Sequence, residues 1–371
     1  MKRRRIFFVL DSLDDDDVGE HVATLLGRLS RARFEPRVVT LKGEGPLGQR
    51  IRDMRVTVHA LPVDSRMDPL LVIPRVRKML VALEADLVHA FHHVSGAVAE
   101  LAAPRGVPVV RYVPRLRSKS DPLVTRLAGA MESLTARHGS VRFVVGSEDA
   151  QDLVADYYGV EAVDVVAECI DLPAVRADAE AVDTEDARVR LGLRDGDAAV
   201  VCVTDFHDEA FVESVLSGFA MARVERPGLR LFLQGTGPAE NHARWRAEEL
   251  HLGDAAVFLR DQSVFSDLLA SAAAVVDTSE WPSPARAALK AAAVGLPVLR
   301  WEEGREIGDP RAVPPRIAST PERFAAELIR AVDDPRLNEA LRSASSELAK
   351  ASDVTAVAEQ WGSLYDQLPD A

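Results

Sequence analysis

The stretch Ile6-Phe7-Phe8-Val9-Leu10 indicates the first element of the fold. It follows Lys2-Arg3-Arg4-Arg5 and ends at Asp11, so the apolar run is five residues long. A secretory signal peptide has an apolar core of about 7–15 residues, so this run is too short for one. A short apolar run that ends at a polar residue predicts a buried β-strand.

Outward from this strand, short apolar runs alternate with amphipathic segments through the first half of the chain. Strands that alternate with helices predict βαβ units and a parallel sheet covered by helices on both faces. The strand-like runs are 6–10, 36–41, 56–61, 86–89, 107–112, 141–146 and 163–167. The helix-like stretches between them lie near 18–33, 70–84, 94–104, 121–138 and 148–158.

Residues 161–197 interrupt this rhythm with eleven acidic side chains against four arginines. The alternation restarts at Ala198-Ala199-Val200-Val201-Cys202-Val203 and continues to about residue 350. We therefore expect an α/β protein with two doubly wound, Rossmann-like domains that face each other across a cleft. The predicted divisions are a first domain over 1–170, an acidic linker over 171–197, a second domain over 198–350 and a C-terminal helix over 351–371.

The composition is that of a globular protein. Of 371 residues, 47% are hydrophobic and 28% charged, and no apolar run approaches the roughly 18 residues that span a bilayer. Two cysteines, Cys169 and Cys202, are too few for a disulfide framework or a zinc cluster, so a reduced cytoplasmic location is expected. A net charge of −13 argues against a general nucleic-acid partner.

Several stretches carry a family pattern in a fixed order along nearly the whole chain. They are 6–10 with 19–26, 34–41, 85–93 (ADLVHAFHH), 231–238 (LFLQGTGP), 291–298 (AAAVGLPV) and 357–361 with Tyr365. Together they resemble glycosyltransferase family 4, the retaining enzymes of the GT-B fold that use nucleotide sugars. The resemblance implies the GT-B fold, with the C-terminal helix crossing back to the first domain.

The resemblance also implies a function. An active member transfers a sugar, with retention, from a nucleotide sugar held by the second domain to a glycan or lipid-linked acceptor on the first. It needs no further cofactor, and family members often work at the inner membrane face. Because the family's donor-contact residues are changed here, the alternative is a non-catalytic relative that binds a glycan or regulates a partner. A different enzyme on the same frame, such as an epimerase, would need an acid/base pair, and none is convincingly spaced.

The first changed position is the glycine-rich loop that cradles the donor diphosphate in the family. In this chain the loop reads Asp14-Asp15-Asp16-Asp17-Val18-Gly19, so Gly19 is the one glycine left as a cofactor-site candidate. Four carboxylates repel a diphosphate, but acidic residues before a helix also cap its amides and suit its dipole. A metal site is the weaker interpretation, since consecutive acids rarely converge on one ion.

The second changed position is the Arg and Lys pair after the first strand of the second domain. Asp205 and Ala210 stand at these positions, so both phosphate-neutralising cations are missing. His207 among acidic neighbours is either a metal ligand or part of a solvated turn. The following glycine loop supplies Gly235 and Gly237 as further candidate donor contacts.

The third changed position is a pair of glutamates eight residues apart, which here correspond to Pro282 and Lys290. Proline has no side-chain acceptor and lysine only donates. Glu280 is a candidate replacement for the first glutamate, and Lys290 is either a phosphate ligand or an exposed helix lysine.

The acceptor-side histidine of the family falls on Phe91, with His92 and His93 adjacent. These two are the candidate catalytic residues, the alternative being exposed or helix-capping histidines. A cluster of basic residues next to them is either a solvated face or a peripheral membrane or acidic-glycan contact. Its members are Arg105, Arg111, Arg115, Arg117, Lys119, Arg126, Arg137 and Arg142.

Overall fold

The computed structural model describes residues 3–14, 16–61, 69–116, 141–206, 208–259, 264–278, 281–301, 316–317 and 320–369. The chain forms two compact units. One consists of Met1–Cys169 together with Val354–Ala371, and the other of Ile170–Asp353. The fold class predicted from the sequence, two doubly wound α/β units with a returning C-terminal helix, is confirmed.

The described residues of the first unit form a sheet of seven parallel strands in the order β3-β2-β1-β4-β5-β6-β7. Its central strand positions are almost fully buried because helices lie on both faces. The strands are β1 (Arg4–Leu10), β2 (Phe34–Thr40), β3 (Thr57–Ala60), β4 (Leu87–Ala90), β5 (Val109–Tyr112), β6 (Val141–Val145) and β7 (Val163–Val165). The helices are α1 (Asp17–Arg28), α2 (Gly48–Asp53), α3 (Pro69–Ala82), α4 (His93–Ala102) and α5 (Gln151–Tyr158).

The described residues of the second unit form a parallel sheet of six strands in the order β10-β9-β8-β11-β12-β13. The strands are β8 (Ala198–Val203), β9 (Leu229–Gln234), β10 (Ala256–Leu259), β11 (Ala272–Asp277), β12 (Val298–Trp301) and β13 (Arg316–Ile317). The helices are α6 (Leu172–Glu180), α7 (Thr184–Arg190), α8 (Glu209–Glu225), α9 (Glu240–Glu249), α10 (Phe265–Ser271), α11 (Arg286–Ala293), α12 (Pro321–Asp333) and α13 (Pro335–Ala351).

The last helix, α14 (Val354–Gln367), belongs to the first unit, where it packs against α1. Trp361 and Tyr365 on this helix are fully buried, and the burial of two large aromatic rings helps to hold the helix on the first unit. Arg4 donates to the carbonyl oxygen of Leu368 at 3.1 Å, and Arg33 donates to that of Gly362 at 3.1 Å. These bonds tie the C-terminal part of the helix to the first residue of β1 and to the residue before β2.

The acidic stretch that we expected to be a linker is folded. It contains α6 and α7, both within the second unit. Asp171 and Asp183 begin these helices by accepting backbone N–H bonds from Ala174 and Asp186. Two of the acidic residues in this stretch are therefore N-cap residues, and helix capping explains their place directly before a helix. The helix predicted at 121–138 lies outside the described residues.

Each sheet reverses its strand order once, between β1 and β4 in the first unit and between β8 and β11 in the second. Ligands of doubly wound folds bind at the carboxyl ends of the strands on either side of such a reversal. We therefore expect functional residues at the carboxyl ends of the strands in each sheet.

Candidate functional site

The predicted site residues divide between the two units. Gly19, His92 and His93 lie in the first unit, and Asp205, Gly235, Gly237 and Lys290 in the second. Glu280 and His207 lie outside the described residues. Within the part of the chain that the structure describes, no cluster of three metal-ligand side chains occurs.

In the first unit, His92 lies directly before α4 and is held by Asp11, the residue that follows β1. The backbone N–H of Asp11 donates to Nδ1 of His92 at 3.4 Å, which places the imidazole proton on Nε2. A carboxylate oxygen of Asp11 accepts the N–H of Ser95 at 2.9 Å, and the other lies 3.2 Å from Nζ of Lys42. Asp11 thus fixes the start of α4 and the orientation of His92.

The pKa of His92 is lowered by burial, an effect that the carboxylates of Asp11 and Asp16 partly oppose. The imidazole is therefore neutral near pH 7, with Nε2 as its hydrogen-bond donor. His93 begins α4, and neither of its ring nitrogens is accessible to solvent. Of the two predicted catalytic histidines, His92 has the geometry to present a donor at the carboxyl edge.

Gly19 lies in the first turn of α1, where its surroundings are filled by the protein itself. Its N–H donates to the carboxylate of Asp16 at 2.7 Å, so Asp16 is the N-cap residue of the helix. A Cβ at this position would lie 2.1 Å from the carbonyl oxygen of Asp14. The glycine therefore permits a close backbone approach and a capped helix, and its amide is already used.

In the second unit, the loops after β8 and β9 pack directly on each other. A Cβ on Gly235 would lie 1.7 Å from the carbonyl oxygen of Thr204, and one on Gly237 would lie 1.9 Å from that of Asp205. The carbonyl of Phe206 accepts the N–H of Ala239 at 2.7 Å. Both glycines therefore allow this loop contact, while the Asp205 carboxylate faces solvent.

Lys290 lies on α11, with Nζ 5.9 Å from the centre of the Phe265 ring. This geometry is a cation–π contact on a partly exposed helix face. It gives the lysine a packing role within the second unit.

Three buried charged residues that sequence reasoning missed lie at the carboxyl edge of the second sheet. Asp277 ends β11, and Arg300 lies beside it in register on β12. Arg286 is the first residue of α11. Each of the three side chains is less than 5% exposed. The sequence signal for Asp277 and Arg300 was a charged residue at or near the end of an apolar strand, because the carboxyl ends of parallel strands form the ligand-binding edge of such a sheet.

These charged groups fix the segment between β11 and α11. A carboxylate oxygen of Asp277 accepts the N–H of Ala285 at 2.9 Å. The Arg300 guanidinium donates to the carbonyl oxygens of Trp281 and Pro282. The described residues of this loop are therefore pre-organised at the position where the family carries its first glutamate.

The described members of the basic cluster do not share one face. Arg111 is 1% exposed and pairs with Glu100 at 2.8 Å inside the first unit. Arg142 pairs with Asp164. Arg105 and Arg115 lie before and after β5, at opposite edges of the sheet. Because Arg111 and Arg142 pair with acidic residues of the first unit, they do not support the predicted membrane or glycan contact. Arg117, Lys119, Arg126 and Arg137 lie outside the described residues.

Comparison with known structures defines the class of protein. The glycosyltransferase from Rickettsia africae is 10% identical over 99% of this chain and 99% of its own, with a TM-score of 0.74. Anabaena Alr3699/HepE in complex with UDP and glucose is 17% identical over 98% and 99%, also with a TM-score of 0.74. WaaG, a glycosyltransferase involved in lipopolysaccharide biosynthesis, is 19% identical over 97% and 99%, with a TM-score of 0.68. The chain has the GT-B fold.

The family follows from the sequence match. Residues 18–167 match the family model described as "Glycosyl transferase 4-like domain". The first unit is therefore a glycosyltransferase 4-like domain, and the predicted resemblance to family 4 is confirmed. No curated protein sequence matches the chain significantly. Among the described helices, none has the length and apolar character needed to cross a bilayer.

Proposed function

We propose that this glycosyltransferase 4-like protein is a non-catalytic relative of the family that has lost its donor-phosphate site and acts by binding a glycan or a protein partner. The observation that carries this proposal is the bond from the Gly19 N–H to the Asp16 carboxylate at 2.7 Å. In the family, the amide at this position binds the donor diphosphate, whereas here the Gly19 N–H already donates to the Asp16 carboxylate. A second anion at that place would be repelled by it.

The second unit supports the same conclusion. The exposed Asp205 stands where the family has its phosphate-binding arginine, and Ala210 stands where it has its lysine. Like charges at about 4 Å oppose each other by about 4 kcal/mol at an effective dielectric constant near 20. A diphosphate therefore meets a carboxylate in each unit at positions where the family offers an amide or a cation.

A retaining glycosyltransferase remains the second candidate function, and one specific observation favours it. Arg286 and Arg300 are both buried at the carboxyl edge of the second sheet, beside the pre-organised loop. Arginine is the side chain best suited to phosphate. Under this second function, Arg286 binds the donor phosphate, and His92 donates a hydrogen bond from Nε2 to the acceptor.

A titration with UDP, GDP and their common sugars distinguishes the two functions. A ligand at 100 times its dissociation constant stabilises the folded state by about 2.7 kcal/mol. We expect no rise in melting temperature and no calorimetric heat with millimolar nucleotide. A rise that disappears in Arg286→Gln, but persists in the matched control Arg188→Gln, would show nucleotide binding at the donor edge, contradict the first proposal and favour the second function. Among the described residues, Arg188 donates to the backbone carbonyls of Arg194 and Asp197 and to no carboxylate, which makes it a suitable control.

The double variant Asp205→Arg/Ala210→Lys tests the cause of the loss. It restores both cations of the family on the second unit. We expect measurable UDP binding to return, because two cations replace one repelling carboxylate. Unchanged absence of binding in a stably folded double variant would show that these positions do not account for the lost site.

A further inference from the structure

A cavity of about 590 Å³ opens at the amino edge of the second sheet, within the second unit. Its volume lies in the range of small-molecule sites, about 300–1,000 Å³. The ends of α6, α10 and α11 form its walls together with α13. The apolar part of the lining includes Ala179, Val182, Leu269, Ala272, Val294 and Leu296.

Two arginines line this cavity, and each is tethered to the same turn. Nε of Arg176 donates to the carbonyl oxygen of Ala293 at 2.8 Å. Nη1 of Arg342 donates to the carbonyl oxygen of Gly295 at 2.5 Å. These carbonyls are two residues apart at the end of α11, so both arginines are held at the same turn. A hydrogen bond at one side of each guanidinium group restricts the side chain and lowers the entropy cost of binding a ligand.

Both guanidinium groups keep unused donors. The Nη1 and Nη2 groups of Arg176 and the Nη2 group of Arg342 make no hydrogen bond to any described residue. Glu180 is the one carboxylate in the lining, and it forms no ion pair with either arginine. The lining thus has two cations and one anion, with a net charge of +1. The negative end of the α11 dipole reduces this field, although the arginines already bind its terminal carbonyls.

We propose that this cavity binds a small phosphate-bearing organic molecule, with its phosphate on Arg176 and Arg342 and its body against the apolar wall. Guanidinium groups match phosphate oxygens in planar, paired hydrogen bonds. The six residues of β11 separate this place from the carboxyl edge by roughly 20 Å at 3.3 Å per residue. The site is therefore distinct from the donor edge, and it does not depend on whether the protein transfers sugars.

Calorimetric titration with phenyl phosphate tests the proposal, with inorganic phosphate and phenol as comparison ligands at constant ionic strength. We expect phenyl phosphate to bind more tightly than phosphate, because the ring adds apolar contact, and phenol to bind more weakly than phenyl phosphate because it lacks the phosphate. Binding of phosphate and phenyl phosphate with equal affinity would overturn the organic-ligand assignment. Absence of binding by both would overturn the site.

Variants then locate the binding. Arg176→Gln/Arg342→Gln should weaken the binding of phenyl phosphate by about tenfold or more, whereas Arg188→Gln should leave its affinity unchanged. Glu180→Gln removes the repelling carboxylate without breaking a hydrogen bond, and should tighten binding by about threefold. This gain cannot arise from unfolding, so it keeps the test valid if the arginine variant folds poorly. An unchanged affinity in Glu180→Gln, or a loss in Arg286→Gln at the donor edge, would overturn the proposal.

Discussion

Nδ1 of His89 lies 2.8 Å from the phenolic oxygen of Tyr365, a residue 276 positions further along the chain. Both side chains are fully buried, His89 on β4 and Tyr365 on α14. The ring of Trp361 lies 4.5 Å from that of His89. The C-terminal helix is therefore joined to the sheet of the first unit by a hydrogen bond inside an aromatic cluster, where its energy is greater than in water.

This contact makes stability depend on pH. Burial, with a smaller effect from His21, holds the pKa of His89 well below its ordinary value of 6.5. The folded protein therefore keeps His89 neutral, while the unfolded chain binds a proton as the pH falls through 6.5. The contribution is fully present above that pH and is lost as the pH falls from there toward the folded pKa. We expect urea unfolding to show lower stability at about pH 5.5 than at about pH 7.5.

The variant His89→Gln should reduce this pH dependence, because glutamine does not titrate and can still bond to Tyr365. His251→Asn is the matched control, since His251 is exposed in a turn with a φ of +53°, which asparagine tolerates. The control should keep the pH dependence of the parent protein. An equal slope in His89→Gln and the parent would contradict the assignment to His89.

The contribution of the α1 N-cap to stability can be measured without any ligand. Asp16→Ala removes the acceptor for the Gly19 N–H and should lower the free energy of unfolding by about 1 kcal/mol. Asp16→Asn keeps an acceptor oxygen and should lose only part of that amount. Equal stability of Asp16→Ala and the parent in urea would show that the acidic turn does not serve as a cap.

The contact between the loops after β8 and β9 predicts a strong effect at Gly235. This residue has a φ of +143°, and a Cβ would lie 1.7 Å from the carbonyl oxygen of Thr204. Gly253 also has a positive φ, +49°, but no atom lies within 4 Å of its Cβ position. Gly253→Ala should therefore cost about 1 kcal/mol, from the backbone alone.

Gly235→Ala should cost about 3 kcal/mol or more, since the backbone effect and the steric overlap combine. Thermal and urea unfolding of both variants give the comparison. If the two substitutions cost the same, Gly235 is not required for packing, and a ligand-binding role for its loop becomes the better explanation.

The buried pair of Arg111 and Glu100 should respond to single and double substitution very differently. Arg111→Met removes the cation that lies 2.8 Å from the buried Glu100 carboxylate and should cost about 3–5 kcal/mol. Arg111→Met/Glu100→Gln removes both charges and should cost clearly less than Arg111→Met alone. A double variant that is less stable than Arg111→Met would mean that the ion pair itself is the main source of stability at this place.

Much of the fold was predictable because it follows from local pattern. The apolar run 6–10 became β1, and the run 198–203 became β8, since a buried parallel strand is apolar on both faces. The short helix α2 was not predicted, because six residues give too little periodicity. The helices α6 and α7 were missed because their acidic side chains indicated a linker rather than caps.

The candidate site was predictable only in part. Gly19 and His92 could be named because they stand at or beside the family's donor-loop glycine and acceptor-side histidine, after the first and the fourth strand respectively. Asp277 and Arg300 could not be paired from sequence, because the register that makes them neighbours depends on the alignment of β11 with β12. The separation of His92 from His93 also needed the structure, since adjacent residues at a helix start point in different directions.

The sequence by itself determined the alternation of strands and helices, the restart at Ala198 and the loss of the phosphate-binding cations at Asp205 and Ala210. These features depend on residue type and local periodicity, which are read along one dimension. Only the tertiary structure decided that Arg300 lies beside Asp277 at the end of the second sheet and that Arg176 and Arg342 line one cavity. Such relationships depend on which groups share a buried space, because burial and hydrogen bonding act over distance and not over sequence separation.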